Sequence, residues 1–196
     1  MQAFESTMQT YMTGHAPTFE DDFSTPDMVW GGTIQGLAIW ALVKDGVLPI
    51  TDHDPDDVAG TTFPSKGLLN ASNFALQFDF VFETQVPVDI VAVKFRSYEI
   101  LIYRNGEWTL CENGNTQKYI TSGIKSLKPL ENTLLIMAYQ ENLAVYLNGT
   151  LLYATNEIAL SGSVNTITVT GEHNWGSRMD FDNFKFWDLE GVDFNP

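Results

Sequence analysis

The feature that most constrains the fold is the alternation of residues 73–83, NFALQFDFVFE. Successive side chains of a β-strand point to opposite faces, so this pattern places five large apolar side chains on one face. These are Phe74, Leu76, Phe78, Phe80 and Phe82. Gln77 and Asp79 belong to the other face. A strand with one apolar and one polar face predicts an antiparallel sheet that packs against the core on one side only.

Two-residue turn signals separate many of the other apolar runs. They are Asp45-Gly46, Asn105-Gly106, Asn113-Gly114 and Asn148-Gly149. Such pairs favour tight hairpins, because a type I′ turn needs positive φ at both central residues. The chain therefore predicts an all-β fold of about a dozen strands, arranged as a two-sheet antiparallel β-sandwich of the jelly-roll kind.

The first eighteen residues carry a different pattern. Apolar side chains recur there at helical spacing, and Gly14 follows them. They are Phe4, Met8 and Tyr11 or Met12. We predict a short helix or arm over residues 1–18 that docks on other domains or subunits, and one β-sandwich domain over residues 19–196, since this length suits a single all-β domain.

The charge of the chain restricts its partners. It has 25 acidic and 10 basic residues, for a net charge of −15. Nucleic acid is excluded as a partner because phosphate binding needs a basic surface, and an anionic membrane surface would repel the chain. The sequence has no apolar run long enough to cross a membrane. The single cysteine, Cys111, allows no internal disulfide and is expected to be a small buried apolar residue.

Three segments resemble motifs of one superfamily. They are DDFSTPDMVWGG (21–32), LAVYLNGTLLY (143–153) and FDNFKFWDL (181–189). In this order they resemble the first strand, an internal hairpin and the closing strand of concanavalin A-like (laminin G-like) lectin and glucanase domains. The resemblance implies a jelly roll with one concave sheet, carbohydrate binding and, in many members, a structural calcium ion.

The resemblance also bears on location. It implies an extracellular or cell-surface protein, although the first residues lack the basic region and apolar core of a signal peptide. We therefore expect either a mature or trimmed form of a secreted protein or, alternatively, a cytoplasmic one.

The superfamily contains both lectins and glycan hydrolases. The glucanases carry a Glu-x-Asp-x-x-Glu strand, and no segment of this chain has that pattern. Retaining hydrolysis needs two carboxyl groups roughly 5 Å apart. The sequence thus favours a non-catalytic carbohydrate-binding domain. The alternatives are a structural or protein-interaction module without a sugar site and, less favoured, a glycoside hydrolase with an unusual acid pair.

The closing strand contains the first candidate calcium site. If it lies beside the first strand, Asp182 or Asn183 approaches Asp21 or Asp22, and calcium accepts Asp, Asn and backbone carbonyl oxygens together. Alternation places Asp182 and Asn183 on opposite faces. The alternative is that Asp182 accepts backbone N–H bonds at a sheet edge or bulge.

A second candidate calcium site lies in TDHDPDDVAG (51–60). Asp52, Asp54 and Asp56 have the one-three-five spacing of a calcium loop, but Asp57 stands where such loops have Gly. The alternative is a solvated acidic loop.

The candidate sugar site centres on Trp175 in GEHNWGS (171–177). An aromatic ring stacks on the C–H face of a sugar, and His173 and Asn174 would bind its hydroxyl groups. The alternative is that Trp175 covers the end of the core.

Arg96 and Tyr98 complete the predicted sugar site, as side chains that project from the concave sheet. Arg96 could equally form a cross-strand charge pair with Asp79.

Overall fold

The computed structural model describes residues 2–25, 31–34, 37–40, 43, 45–51, 60–62, 71–83, 90–112, 115–158, 168–172 and 178–194. Within these residues the chain forms one helix and fifteen β-strands. In chain order they are α1 (Gln2–Gly14), β1 (Phe19–Asp21), β2 (Gly31–Ile34), β3 (Leu37–Trp40), β4 (Leu48–Thr51), β5 (Gly60–Thr62), β6 (Phe74–Phe82), β7 (Ile90–Phe95), β8 (Tyr98–Tyr103), β9 (Glu107–Glu112), β10 (Asn115–Ile124), β11 (Asn132–Tyr139), β12 (Asn142–Leu147), β13 (Thr150–Thr155), β14 (Thr168–Glu172) and β15 (Arg178–Asp188).

The strands form two antiparallel sheets. Sheet A has the order β1–β15–β6–β11–β12–β13, and β4 also pairs with β15. Sheet B has the order β10–β9–β8–β7–β14–β5–β2–β3. Every pairing runs antiparallel. The predicted β-sandwich with a short N-terminal helix is therefore confirmed.

The facing sides of the two sheets enclose one aromatic core. On β6, Phe74, Leu76, Phe78 and Phe80 are fully buried, as the alternation predicted. The ring of Phe74 meets that of Phe95 from sheet B edge-on, with centroids 5.9 Å apart. Full burial of one such side chain contributes about 1.5–3 kcal/mol, so this contact layer holds the sheets together.

The turn pairs behave differently from one another. Both residues have positive φ at Asp45-Gly46 and at Asn148-Gly149, as type I′ turns require. Asn148-Gly149 joins the paired strands β12 and β13, whereas the strands on either side of Asp45-Gly46 lie in different sheets, so the hairpin predicted there is wrong. At Asn105-Gly106 only the glycine has positive φ, and its N–H donates to the carbonyl of Tyr103 over 2.9 Å. The loop from β8 to β9 is therefore three residues long. Asn113-Gly114 lies outside the described residues.

Helix α1 covers one end of the outer face of sheet A. Its Met8 is fully buried in a second apolar cluster. The sheet residues of this cluster are Ala75, Met137, Tyr139, Ala144, Tyr146 and Trp187. Leu189, just after the end of β15, also belongs to it. Trp187 Nε1 donates to the carbonyl of His15 over 3.0 Å, and Tyr146 donates its hydroxyl hydrogen to Glu5.

Docking of this arm on other domains or subunits stays a prediction. The apolar face of α1 packs on the chain's own sheet, because alternate residues of four strands make that end of the sheet apolar on its outer side as well.

Within the described residues α1 is the only helix, and with 13 residues it is neither long nor apolar enough to cross a bilayer.

Candidate functional site

The candidate cation site lies where β15 changes partner along one edge. β4 pairs with residues 178–181 of β15, and β1 pairs with residues 184–186. On this edge the backbone of Asp182 and Asn183 therefore pairs with neither strand and borders the gap between β1 and β4. Asp21 is the last residue of β1, so the chain leaves β1 directly into this gap. The expected contact between the first strand and the closing strand is present.

A β-bulge interrupts the other edge of β15, which pairs with β6. Asp182 pairs with Asp79, whereas the next pair, Lys185 with Gln77, lies three residues further along β15 but only two along β6. Asn183 has a φ of 50° in this bulge, and its Nδ2 donates to Asp79 Oδ2 over 2.9 Å. The bulge breaks the alternation. The expectation that Asp182 and Asn183 face opposite sides is wrong, since both lie beside Asp79.

Negative charge accumulates at the bulge. Loss of contact with water raises the pKa of the Asp182 carboxyl, and the charges of Asp79, Asp22 and Asp21 raise it further. The backbone N–H of Asn183 donates to Asp182 Oδ1 over 2.6 Å and acts in the opposite direction. Clustered carboxylates repel one another unless a cation or a donor intervenes.

The carboxylates differ in how they are already held. Asp79 accepts hydrogen bonds from Thr133 Oγ1, over 2.6 Å, and from Asn183 Nδ2. Asp22 accepts the backbone N–H of Ser24 over 3.0 Å, and hydrogen bonds from Ser24 lower the pKa of its carboxyl. Hydrogen bonds therefore hold all three carboxylates, and the pKa of Asp182 is still raised, first by its loss of contact with water and then by the neighbouring charges.

A cavity of about 580 Å³ opens at the gap. Its lining residues are Phe19, Glu20, Asp21, Asp22, Thr25, Asn183, Phe184 and Lys185. Carboxylate and amide oxygens suit a hard cation such as calcium. Among the residues that the structure describes, no three His, Cys, Asp or Glu side chains converge to form a complete metal site. The acids thus suit calcium by ligand type, but the described side chains do not form a complete site, and Asp182 is not among the residues that line the cavity.

Six other predicted site residues lie outside the described residues. They are Asp52, Asp54 and Asp56 of the acidic loop, and His173, Asn174 and Trp175 of the sugar site.

Arg96 occupies the two-residue turn between β7 and β8, with a φ of 50°. Only 5% of its surface is exposed. Its Nε donates to the carbonyl of Ser72 over 2.7 Å, and Nη1 donates to the carbonyl of Gln140 over 2.9 Å. The guanidinium therefore binds the protein's own backbone and does not project from the sheet. It also does not pair with Asp79, whose partners are given above.

Tyr98 lies on the inward side of the same hairpin. It is 9% exposed, and its ring centroid is 6.2 Å from that of Phe95 in the core. A role of Tyr98 in sugar binding is a prediction that this position does not favour.

Sequence reasoning missed Glu99 and Tyr119, which belong to a polar row across the outer face of sheet B. Lys94, Glu99, Cys111 and Tyr119 are consecutive partners on β7, β8, β9 and β10. Lys94 Nζ lies 3.2 Å from Glu99 Oε1, and the Glu99 side chain is 4% exposed. Tyr119 is 64% exposed. The alternation of YEILIY (98–103) was the signal that could have placed Glu99 on this face.

The carboxylate nearest to Glu99 on the described part of this face is too far away for the two to act as a catalytic pair. Glu107 lies four residues from Cys111 on β9, which is roughly 13 Å along the strand. Glycoside hydrolases hold their two carboxyl groups within about 5–9.5 Å. Glu99 is thus ion-paired with Lys94 and has no second carboxylate at catalytic distance on the described part of this face.

We expect Asn183→Ala to lower the free energy of unfolding by about 1–2 kcal/mol, because the left-handed φ of this residue and its bond to Asp79 both favour asparagine. Asn183→Gly keeps the backbone unstrained and loses only the amide, so its effect should be smaller. Urea unfolding of both variants measures the difference. Equal stability of wild type and Asn183→Ala would contradict the role assigned to the bulge.

The sequence matches no protein-family profile, and no curated protein matches it by sequence. Solved structures match its fold. The carbohydrate recognition domain of Emp47p has 13% identity and a TM-score of 0.62, over 86% of this chain and 96% of that one. The exoplasmic/lumenal domain of VIP36 in its Ca²⁺/Man3GlcNAc-bound form has 10% identity and a TM-score of 0.64, over 88% and 89%.

The structure of a hydrolase matches this chain with a similar sequence identity and TM-score. A beta-1,3-glucanase from Mycobacterium marinum has 11% identity and a TM-score of 0.59, over 88% of this chain and 99% of that one. These three likenesses extend over 86–88% of this chain. The chain therefore has the concanavalin A-like jelly-roll fold that its three sequence motifs predicted.

Proposed function

We propose that this chain is a non-catalytic, lectin-like carbohydrate-binding domain that works outside the cytosol. The observation that carries the proposal is the fold shared over most of the chain with the carbohydrate recognition domain of Emp47p and the sugar-bound exoplasmic/lumenal domain of VIP36. A shared fold alone does not define function. The features of this chain's own surface must therefore support the proposal.

The outer face of sheet B supports binding without hydrolysis. Its described part offers an exposed aromatic ring, Tyr119, and the polar Lys94–Glu99 pair, which together resemble the mixed surface that sugars bind. Glu99 has no second carboxylate at catalytic distance on that described face.

The predicted sugar residues follow β14, the strand that pairs with β7 of the polar row. The first residue of β14, Thr168, is the partner of Lys94, whereas its last residue, Glu172, is the partner of Ile90, so His173 to Trp175 follow the end of β14 that lies away from the row. Trp175, His173 and Asn174 come directly after β14 in the sequence. We therefore propose that Trp175 stacks on a sugar bound at the β14 side of sheet B.

We further propose that Asp22, Asp182 and Asn183 hold a structural calcium ion. The ion would supply positive charge where Asp182 is desolvated and repelled by three other carboxylates. It would thereby fasten the end of β1 to the bulge of β15. The acidic loop with Asp52, Asp54 and Asp56 is proposed as a second calcium ligand set.

Trp175→Ala should weaken glycan binding about tenfold, since aromatic stacking contributes about 0.5–1.5 kcal/mol beyond its buried area. A glycan array in calcium buffer would identify a ligand, and calorimetry would compare wild type with the variant. Leu130→Ala, at an apolar residue 79% exposed, is the matched control. Wild-type protein that binds no glycan, or a Trp175 variant that binds equally well, would reject the proposal.

Glycan hydrolysis is the second candidate function, because the glucanase shares the fold and Glu99 is a buried carboxylate. The assay is release of reducing ends from the glycan that binds. Release that Glu99→Gln abolishes would favour this candidate, and intact glycan after long incubation would exclude it.

A further inference from the structure

A separate cavity of about 320 Å³ opens along one side of the sandwich. It lies between β10 and β13, the strands that end sheet B and sheet A. Its lining residues are Tyr98, Leu110, Glu112, Ile120, Leu143, Tyr153, Thr155, Glu157 and Ile158. It shares no described residue with the cation site or with the polar row on sheet B.

The floor of this side cavity is apolar. Leu110, Leu143 and Ile158 belong to the core and are almost fully buried. Tyr98 and Tyr153 add two aromatic rings to the lining. A cavity of this size and composition is in the range that encloses small organic molecules.

The charge of the side cavity is negative. Glu112 and Glu157 line it, and no Lys or Arg is among its described lining residues. The backbone N–H of Glu157 donates to Thr155 Oγ1 over 3.2 Å, which orients the segment that carries this acid. The net charge of −15 reinforces the local potential. An anionic ligand is therefore disfavoured, and a cation is favoured.

We propose that the side cavity binds an alkylated ammonium group, such as trimethylammonium. Aromatic rings and carboxylates attract such a cation, and its methyl groups suit the leucine and isoleucine floor. A primary ammonium ion has three N–H donors. Glu112 and Glu157 can accept from it, but the leucine and isoleucine floor cannot, so burial against the floor costs it hydrogen bonds that an alkylated ammonium group does not make. This inference is independent of the proposed sugar site, because that site uses Trp175 and the polar row. Tyr98, which the sequence analysis predicted as a sugar residue, lines the side cavity instead.

Tetramethylammonium is the first probe, added to the full chain and measured by calorimetry at low and at moderate salt. We expect saturable binding with one site per chain. Methylammonium should bind more weakly than tetramethylammonium. The double variant Glu112→Gln with Glu157→Gln should bind about fivefold more weakly, as expected for two partly exposed charges. Tyr153→Leu should also bind more weakly while its thermal melt shows that the protein is folded.

The control is Glu131→Gln, which removes one exposed acid outside the cavity. Equal loss in this control, or binding that rises without saturation, would show general attraction to an acidic chain and overturn the proposal. No binding of tetramethylammonium by wild type would overturn it too. Free choline and phosphatidylcholine vesicles then distinguish a free ligand from a lipid headgroup, and the proposal requires that at least one of them compete with tetramethylammonium.

Discussion

Replacing Arg96 with methionine should lower the free energy of unfolding by about 3 kcal/mol. The guanidinium is buried and donates to two backbone carbonyls, those of Ser72 and Gln140. Hydrogen bonds from a charged donor are worth about 1.5–3 kcal/mol each, and removal of the donor leaves buried acceptors unsatisfied. Urea unfolding at neutral pH measures the loss.

The size of this effect follows from the position of Arg96 between the sheets. Ser72 precedes β6 of sheet A, and Gln140 lies in the turn from β11 to β12. Arg96 belongs to sheet B, so its bonds fasten the two sheets at one end of the sandwich. Burial lowers the pKa of Arg96, and the nearby charge of Glu190 opposes this effect. Glu190 in turn accepts the backbone N–H of Ser72 over 2.6 Å.

Three further variants separate the causes. Arg96→Gly relieves the positive φ of this residue but loses the same bonds, so it should be somewhat more stable than Arg96→Met. Arg96→Lys keeps the charge and part of the hydrogen bonding. Arg104→Met, at a less buried arginine in the next turn, is the matched control and should cost about 1 kcal/mol. An Arg96→Met loss no larger than the Arg104→Met loss would refute the fastening role.

Calcium at one hundred times its dissociation constant should raise the melting temperature of the wild-type chain by about 5–10 °C. A ligand that binds only the folded state at this excess contributes about 2.7 kcal/mol, and a domain of this length gains about 2–4 °C per kcal/mol. Thermal melts in EDTA and in calcium measure the shift. Magnesium is the matched ion, and it should act less because it demands a smaller, octahedral site.

Asp182→Asn distinguishes an ion from a purely structural carboxylate. The native pKa of Asp182 is raised, so its ionised form destabilises the folded state at neutral pH when no cation is present. The amide oxygen of asparagine still accepts the N–H of residue 183. In EDTA the variant should therefore melt at or above the wild-type temperature, and in calcium it should melt below it.

The pH dependence follows the same sign. In EDTA the loss of folding stability caused by ionised Asp182 is complete above its raised native pKa. This loss shrinks as the pH falls from the native pKa towards the ordinary value of 3.8, because the folded state binds the proton more tightly than the unfolded state. Wild type should gain stability relative to Asp182→Asn between these two pH values. A wild-type melting temperature that is identical in EDTA and in calcium would reject the structural calcium, and Asp182 would then be a backbone-bonding residue.

The strands that carry the core were predictable because local pattern and tertiary burial agree there. Phe74, Leu76, Phe78 and Phe80 of β6 fill the core as the alternation predicts, whereas the burial of Ala75 on the other face, in the cluster with α1, was not predicted. The Asn148-Gly149 turn was predictable for the same reason, since its dihedral angles depend on the two residues themselves. The Asn105-Gly106 loop is longer than predicted because Gly106 alone takes the left-handed conformation.

The candidate site was predictable only in part. The motif at residues 181–189 placed the closing strand beside the first strand, so the approach of Asp182 to Asp22 followed from sequence. The bulge that turns Asn183 towards Asp79 depends on pairing with β6, more than one hundred residues away in sequence. Alternation cannot show such a bulge, because it assumes an uninterrupted ladder.

The sequence by itself determined the all-β class, the apolar faces of the strands and the tight turns, because these depend on side-chain periodicity and on local dihedral preferences. Only the tertiary structure decided what the polar and amphipathic groups contact. Arg96 binds carbonyls of the opposite sheet, and α1 lies on the chain's own sheet A. Hydrogen bonds and burial between distant segments select those partners, and local sequence patterns do not predict such long-range contacts.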